Sequence, residues 1–211
     1  PALARPLPEG GYELISGHRR LAACQVLGIE TMPVIIREMS DDEAVIAMVD
    51  ANLQRETILP SEKAFAYKMK LEAIKHQGIT SGEKLLSVTQ VSKESDDSER
   101  QVQRYIRLTY LISELLEMVD ENKIAFNPAV EISYLDQSEQ RVLLNAMELN
   151  DCTPSHAQAI RLKKLSQEGV LQDQTIYDIL AEQKPNQQEQ YKFKREDIRK
   201  YFPKNYTDKQ V

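Results

Sequence analysis

Length, composition and charge already limit the class of protein. The chain has 211 residues, 41% hydrophobic and 28% charged, as in a globular protein of one large or two small domains. It has no apolar run of the roughly 20 residues that a membrane helix needs, and its N-terminus lacks the apolar core of a signal peptide. The two distant cysteines argue against structural zinc, and the net charge of −6 excludes a histone-like basic coat. We therefore expect a cytoplasmic protein with no metal-ligating cluster.

The first 58 residues alternate between strands and helices. Turn, cap and periodicity signals predict four elements: strands at Tyr12–Ile15 and Pro33–Arg37, a helix at His18–Leu27 ended by Gly28, and a helix opened by the Ser40–Glu43 capping box and running to about Glu56. This order predicts a small α/β domain in residues 1–58. Because residue 1 is proline and not an initiator methionine, we expect the domain to be truncated at its N-terminus.

From residue 59 to residue 183 the pattern is helical. Apolar spacing and cap residues predict helices at Pro60–Gly78, Ser87–Glu94, Ser98–Tyr110, Ser113–Asp120, Asn127–Tyr134, Asp136–Leu149, Pro154–Gln167 and Gln172–Gln183. Residues 184–190 are polar and interrupted by proline, as in a linker, and we expect residues 191–211 to begin a further unit. The fold class that follows is mainly α, with a small α/β domain before an all-α domain.

A candidate polyphosphate site lies in the first domain. Gly17 stands at the start of a helix with Arg19 and Arg20 in its first turn, and the polar run Asn52–Glu56 follows on a later helix. Free N–H groups and the positive end of a helix dipole attract anions, and arginine forks hold phosphate oxygens in pairs. His18 is either a phosphate contact or simply an exposed histidine at the start of a helix.

A candidate DNA-binding helix begins after Ser98. Val102 and Ile106 form an apolar stripe, and the opposite face carries Arg100, Gln103, Arg104 and Arg107 at helical spacing. With the short helix at Ser87–Glu94 and a four-residue turn, this predicts a helix-turn-helix at about residues 87–110.

The N-terminal half of such a helix meets base edges. Its polar residues are therefore candidates for DNA contact: Ser98, Arg100, Gln101, Gln103 and Arg104. Arg107 lies further along and is better placed for a phosphate or a structural ion pair. The alternative for the whole face is a solvated surface in which the arginines pair with neighbouring acids.

Two motifs resemble those of a known family. Gly17-His18-Arg19-Arg20-Leu21-Ala22-Ala23 resembles the Gly-Glu-Arg-Arg-x-x-Ala box of the ParB/Noc partition proteins. Asn52-Leu53-Gln54-Arg55-Glu56 and the following Leu59–Ala64 resemble that family's Glu-Asn-x-Gln-Arg-Glu box and its proline-started helix. The resemblance runs from about Tyr12 to Leu165.

The resemblance implies a sulfiredoxin-like N-terminal domain that binds CTP with Mg²⁺ and a helix-turn-helix domain that binds double-stranded DNA. It also implies a homodimer, a partition ATPase as a possible partner, and association with the nucleoid or a plasmid. By position, Gly17, Arg19 and Arg20 would hold the triphosphate. Asn52 would lie near the phosphates and the hydrolytic water, and Arg55 would support that site.

The chain departs from the family pattern at several positions. His18 replaces a glutamate, Ala51 replaces the metal-side glutamate, and Asp96 and Asp97 stand where glycine and an apolar residue are usual. Loss of a hard oxygen ligand at residue 51 predicts slow or absent CTP hydrolysis. The alternative function is a helix-turn-helix transcriptional regulator that kept the fold and lost the nucleotide switch. A sulfiredoxin-type enzyme is excluded because the run from Ser16 to Arg19 contains no cysteine.

Overall fold

The computed structural model describes residues 1–54, 57–76, 88–89, 91–92, 95 and 97–182. Residues Pro1–Leu180 form one compact unit, and a second unit runs from Ala181 to Val211. Within the described residues the structure is mainly α-helical with one small sheet, which confirms the predicted fold class.

A three-stranded sheet opens the first unit. Its strands are β1 (Ala2–Pro6), β2 (Tyr12–Ser16) and β3 (Val34–Ile36), in the order β2-β1-β3. β1 pairs antiparallel with β2 and parallel with β3. The sequence patterns did not predict β1, although it is the central strand. Pro6 is its last residue and Pro1 directly precedes it, so both prolines stand where a missing N–H does least harm to strand pairing.

Nine helices lie in the described part of the chain, and each coincides with a predicted helix. Their bounds are α1 His18–Val26, α2 Asp41–Leu53, α3 Pro60–His76, α4 Glu99–Leu108, α5 Ser113–Asp120, α6 Phe126–Ile132, α7 Gln137–Asn150, α8 His156–Gln167 and α9 Asp173–Ala181. Of the predicted helix at Ser87–Glu94, residues 88–89 and 91–92 are described, and they are helical. The predicted linker and final segment, from residue 184 onwards, lie outside the described residues. None of the described helices is long and apolar enough to cross a bilayer.

Several helices begin at a serine or aspartate whose side chain accepts the N–H three residues on. Ser40, Asp136 and Ser155 each form a complete capping box with the residue three positions later. Ser40 confirms the box predicted for α2. At α4 only half of the predicted box forms: Ser98 Oγ accepts from Gln101 N at 3.3 Å. The Gln101 side chain is instead an acceptor for Arg104 Nη1 at 3.4 Å.

The helices bury their apolar side chains in two clusters. The larger cluster joins α5 to α9 with Leu108 of α4. The smaller cluster brings together α3, residues 88 and 91, and Val102 of α4, with Ile46 and Leu53 of α2 packed against it. Val102 and Leu108 are fully buried, whereas Ile106, predicted in the buried stripe with Val102, is half-buried. The smaller cluster therefore contacts both α2, which carries Asn52, and α4, which carries Arg100, Arg104 and Arg107.

Candidate nucleotide-binding and DNA-binding sites

Gly17 forms the entrance to helix α1. Its φ of 104° lies in the left-handed region, which glycine adopts without penalty. A Cβ at this position would lie 2.7 Å from the Cβ of Ala2 in the central strand. The residue must therefore be glycine for two reasons, its backbone conformation and its close approach to β1.

The N-terminus of α1 is open to an anion. No side chain caps it and no acidic residue occupies its first turn, so its free N–H groups and the positive dipole end stay uncompensated within the described chain. His18, Arg19 and Arg20 in that turn are all exposed. This end of α1 combines backbone donors with two guanidinium groups.

The two predicted halves of the nucleotide site meet in one pocket. Its volume is about 560 Å³, within the range of small-molecule sites. Segments from both sequence motifs line it: Ser16, Gly17, His18, Arg19 and Arg20 from one, and Met48, Ala51, Asn52 and Gln54 from the other, with Pro1 and Ile15. None of these described lining residues carries a carboxylate. Arg55, predicted to support the site, lies outside the described residues.

Helix α2, which supplies Ala51 and Asn52 to the pocket, is held at both ends. At its start, Glu43 Oε2 accepts from Ser40 N at 2.8 Å, and the hydrogen bonds from the Ser40 backbone and side chain hold the pKa of Glu43 below its usual value. Near its end, Asp50 Oδ1 lies 2.5 Å from Nζ of the fully buried Lys70 on α3. The wall that carries Asn52 is thus fixed to the neighbouring helix by an ion pair.

Helix α4 presents the predicted DNA-contact residues in two different environments. Arg100 and Gln103 are exposed, as is the capping Ser98, and Gln101 is half-buried. Arg104 and Arg107 are half-buried and packed on aromatic rings. The guanidinium carbon of Arg104 lies 5.0 Å from the Phe126 ring centroid, and its Nη2 donates to Asn127 Oδ1.

Arg107 is bound within the protein. Its Nη2 donates to the carbonyl oxygen of Ser133 at 2.7 Å, and its guanidinium carbon lies 3.9 Å from the Tyr134 ring centroid and 4.5 Å from that of Tyr110. Two roles were predicted for Arg107, a phosphate contact and a structural ion pair, and these contacts correspond to a structural role. The partners of Arg107 are a carbonyl oxygen and two aromatic rings, however, and not a carboxylate.

The turn before α4 is fixed by a carboxylate. Asp97 Oδ2 accepts from the Tyr67 hydroxyl at 2.6 Å and lies 2.5 Å from Lys63 Nζ. Burial, and then the hydrogen bond to Asp97, raise the pKa of Tyr67 above its usual value. Lys63 and Tyr67 are four residues apart on one face of α3, and this spacing was the only signal of the pair in the sequence. Their shared partner Asp97 lies 30 residues beyond Tyr67 and 34 beyond Lys63.

Comparisons with known proteins agree with these features. A family model described as the ParB N-terminal domain matches residues 1–53. The chain is 29% identical over 161 residues to the chromosome-partitioning protein Spo0J of Thermus thermophilus, covering 76% of this chain and 55% of that protein. It is 32% identical over 154 residues to the nucleoid occlusion protein of Listeria innocua, covering 71% of this chain and 50% of the relative. Residues 1–53 thus match a ParB N-terminal domain, and the chain is similar to ParB/Noc-type proteins.

These similarities confirm the resemblance carried by the two boxes. The chain spans about half the length of these two relatives. Among solved structures, it is similar to a C-terminally truncated ParB of Caulobacter crescentus complexed to the centromeric parS site. That match has a TM-score of 0.48 and 22% identity, and covers 85% of this chain and 81% of that one.

Proposed function

We propose that this chain is the nucleotide-binding and DNA-binding part of a ParB-type partition protein, with sequence-specific DNA binding gated by CTP. One observation carries the proposal: Arg19, Arg20 and the open N-terminus of α1 line the same pocket as Asn52. The two family boxes are 35 residues apart from Gly17 to Asn52, and folding brings them together around a volume suited to a nucleotide.

The pocket favours a polyphosphate for electrostatic reasons. It offers two guanidinium groups and uncapped backbone N–H groups, with no carboxylate among its described lining residues to repel an anion. In this proposal Arg19 and Arg20 hold phosphate oxygens, and Gly17 lets the backbone approach them. His18 lies at the same edge and is exposed to a ligand.

The side chains that line the pocket would fit Mg²⁺ only if phosphate oxygens of the nucleotide completed its ligands. Mg²⁺ in proteins usually takes one or two carboxylates together with phosphate oxygens and water. Ser16, Asn52 and Gln54 offer neutral oxygens, and Ala51 offers none. Elsewhere among the described residues, no group of three His, Cys, Asp or Glu side chains could hold a metal ion. A bound Mg²⁺ would screen phosphate charge, while this chain's residues bind and orient the anion.

DNA binding is assigned to α4 and its capped start. Arg100 and Gln103 project into solvent, and Arg104 lies on the same face. Arginine reads guanine and glutamine reads adenine in the major groove. Double-stranded DNA is the proposed ligand of this face, and the chain would act as a homodimer on the nucleoid or a plasmid, with a partition ATPase as a further proposed partner.

The second candidate function is a transcriptional regulator without a nucleotide switch. Ala51, a pocket-lining residue where the family has a glutamate, favours it. The two functions differ in one measurable property, because only the first requires CTP to bind and to change DNA binding.

Two measurements test the proposal. Selection from a random-sequence library of short duplexes gives a preferred duplex, and isothermal titration with CTP, with and without Mg²⁺, tests the pocket. We expect one enriched sequence and CTP binding that alters affinity for that duplex. An enriched sequence with no CTP binding would favour the regulator, and no enriched sequence would contradict both functions.

A further inference from the structure

The guanidinium group of Arg104 is held by residues outside its own helix. Its Nη2 donates to Asn127 Oδ1, and its guanidinium carbon lies 5.0 Å from the Phe126 ring centroid. On its own helix, Nη1 donates to Gln101 Oε1 at 3.4 Å. The side chain is therefore restrained from three directions.

Phe126 and Asn127 are the first two residues of α6, which is firmly placed beside α4. Four residues that follow them in α6 are buried, namely Pro128, Ala129, Val130 and Ile132. The last three belong to the larger core cluster. The Phe126 ring also packs against Tyr105 of α4, with centroids 4.8 Å apart. Since Tyr105 adjoins Arg104, these contacts fix the position of the Phe126 ring relative to the base of the Arg104 side chain.

The restraint leaves Arg104 able to bind a ligand. Asn127 is exposed and Arg104 is half-buried, so the guanidinium lies at the surface of the proposed DNA-binding face. A guanidinium has five N–H donors, and its two bonds to Asn127 and Gln101 leave others for a base edge.

We infer that Phe126 and Asn127 are positioning residues that hold Arg104 in a binding-competent orientation before DNA arrives; this rests on the proposed DNA-binding function. Ordering a long side chain on binding lowers affinity by about 2- to 10-fold. A side chain that is already ordered avoids this loss. The gain in affinity applies only to a DNA sequence that fits the fixed geometry of the side chain. The two residues therefore raise the ratio of specific to non-specific affinity.

The test is a double-mutant cycle on the full chain. Four proteins are compared: wild type, Phe126→Leu, Arg104→Ala and the double variant, with Asn127→Ala as an independent second probe. Each is titrated by fluorescence anisotropy with the duplex enriched by the wild-type chain and with a scrambled duplex of equal length. Phe65→Leu removes a half-exposed ring from α3, outside the proposed face, and serves as the control.

We expect Phe126→Leu and Asn127→Ala each to lower the specificity ratio by about 2- to 10-fold in the wild-type background and to have no further effect without Arg104. An equal loss in both backgrounds would show a merely structural role and overturn the inference. A gain in affinity for Asn127→Ala would also overturn it, because the hydrogen bond would then compete with DNA.

The cycle separates this inference from the proposed function. Arg104→Ala alone tests base reading: if that variant keeps the specificity ratio, or if no duplex is enriched at all, the proposal for α4 fails and the inference fails with it. If Arg104→Ala lowers the ratio while Phe126→Leu and Asn127→Ala leave it unchanged, base reading stands and only the positioning role is wrong. If Phe126→Leu lowers the thermal stability to the point of unfolding, the exposed Asn127→Ala variant decides.

Discussion

Lys63 Nζ lies 2.5 Å from Asp97 Oδ2, so α3 is ion-paired to the residue immediately before the cap of α4. Both side chains are largely buried, with 25% and 18% of their surface exposed. The aspartate that departs from the family pattern is thus an anchor for the turn. Lys63 also lies 4.8 Å from the Tyr105 ring centroid, which ties the same ammonium to α4 itself.

Lys63→Met should lower the free energy of unfolding by about 2 kcal/mol, because it leaves Asp97 largely buried without its cation. Specific DNA affinity should fall, while its dependence on salt should stay unchanged, since the Lys63 charge is used internally. Arg100→Ala, by contrast, should relax sequence specificity, since Arg100 is proposed to read a base edge. Urea denaturation and anisotropy at several salt concentrations measure both effects.

Lys123→Met is the matched control for that variant, because its ion pair with Glu121 is exposed on both sides. Its effect on stability should be below about 0.5 kcal/mol. A reduced salt slope for Lys63→Met would mean that Lys63 contacts phosphate instead.

Arg20→Ala should abolish CTP binding and leave short-duplex affinity nearly intact. Arg20 lines the nucleotide pocket at the start of α1, whereas the proposed DNA contacts lie on α4. Isothermal titration and anisotropy provide the two readouts. Arg37→Ala removes an exposed arginine that is not among the pocket-lining residues, and it should bind CTP normally. Unchanged CTP affinity in Arg20→Ala would contradict the proposal that Arg20 holds phosphate oxygens.

Gly17→Ala should lower the free energy of unfolding by about 3 kcal/mol, because alanine is strained in the left-handed conformation and its Cβ would overlap Ala2. Gly11→Ala is the control: its φ is also positive, at 87°, but no atom lies within 4 Å of the added Cβ. It should lower the free energy of unfolding by only about 1 kcal/mol. Equal losses would show that Ala2 yields to the new methyl group at no cost.

Ala51→Glu should raise CTP turnover in the presence of Mg²⁺. Residue 51 lines the pocket beside Asn52, so a carboxylate there would add the hard oxygen ligand that the described lining lacks. Positioning and electrostatic stabilisation make up most of phosphoryl-transfer catalysis, so the native chain should bind CTP and hydrolyse it slowly. Phosphate release is the assay, and Ala51→Gln, which has the same length but no charge, is the control. Equal turnover of the native chain and Ala51→Glu would show that residue 51 is not decisive.

Asp136→Ala should lower the free energy of unfolding by about 1 kcal/mol at neutral pH through loss of a helix cap. The hydrogen bonds from Glu139 N and the Ser138 hydroxyl hold the pKa of Asp136 below its ordinary value of 3.8. A carboxyl whose pKa is lowered by folding stabilises the protein above its unfolded pKa, and that stabilisation is lost as pH falls through the folded pKa. The variant's deficit should therefore shrink below about pH 4. Glu148→Ala, on the exposed side of the same helix, is the control and should change the free energy of unfolding at neutral pH by less than about 0.5 kcal/mol.

Local signals in the sequence were sufficient for the helices. Ser40, Ser98 and Asp136 each mark the start of a helix because an N-cap acts over only three residues. The left-handed conformation of Gly17 and the uncapped start of α1 are equally local, whereas the close approach of Gly17 to Ala2 is a tertiary contact. The box from Gly17 to Ala23 could therefore be recognised from the amino-acid sequence by itself.

Tertiary structure decided which residues share a partner. The central position of β1 could not be predicted. Ala2 pairs with Val34, and no repeating pattern in the sequence indicates which distant segments pair. The ion pair of Asp97 with Lys63 spans 34 residues, and the contact of Arg104 with Asn127 spans 23. A sequence shows that such charges exist. The packing of α3 and α6 against α4 determines which residues they contact, and this packing depends on all the buried side chains between the helices.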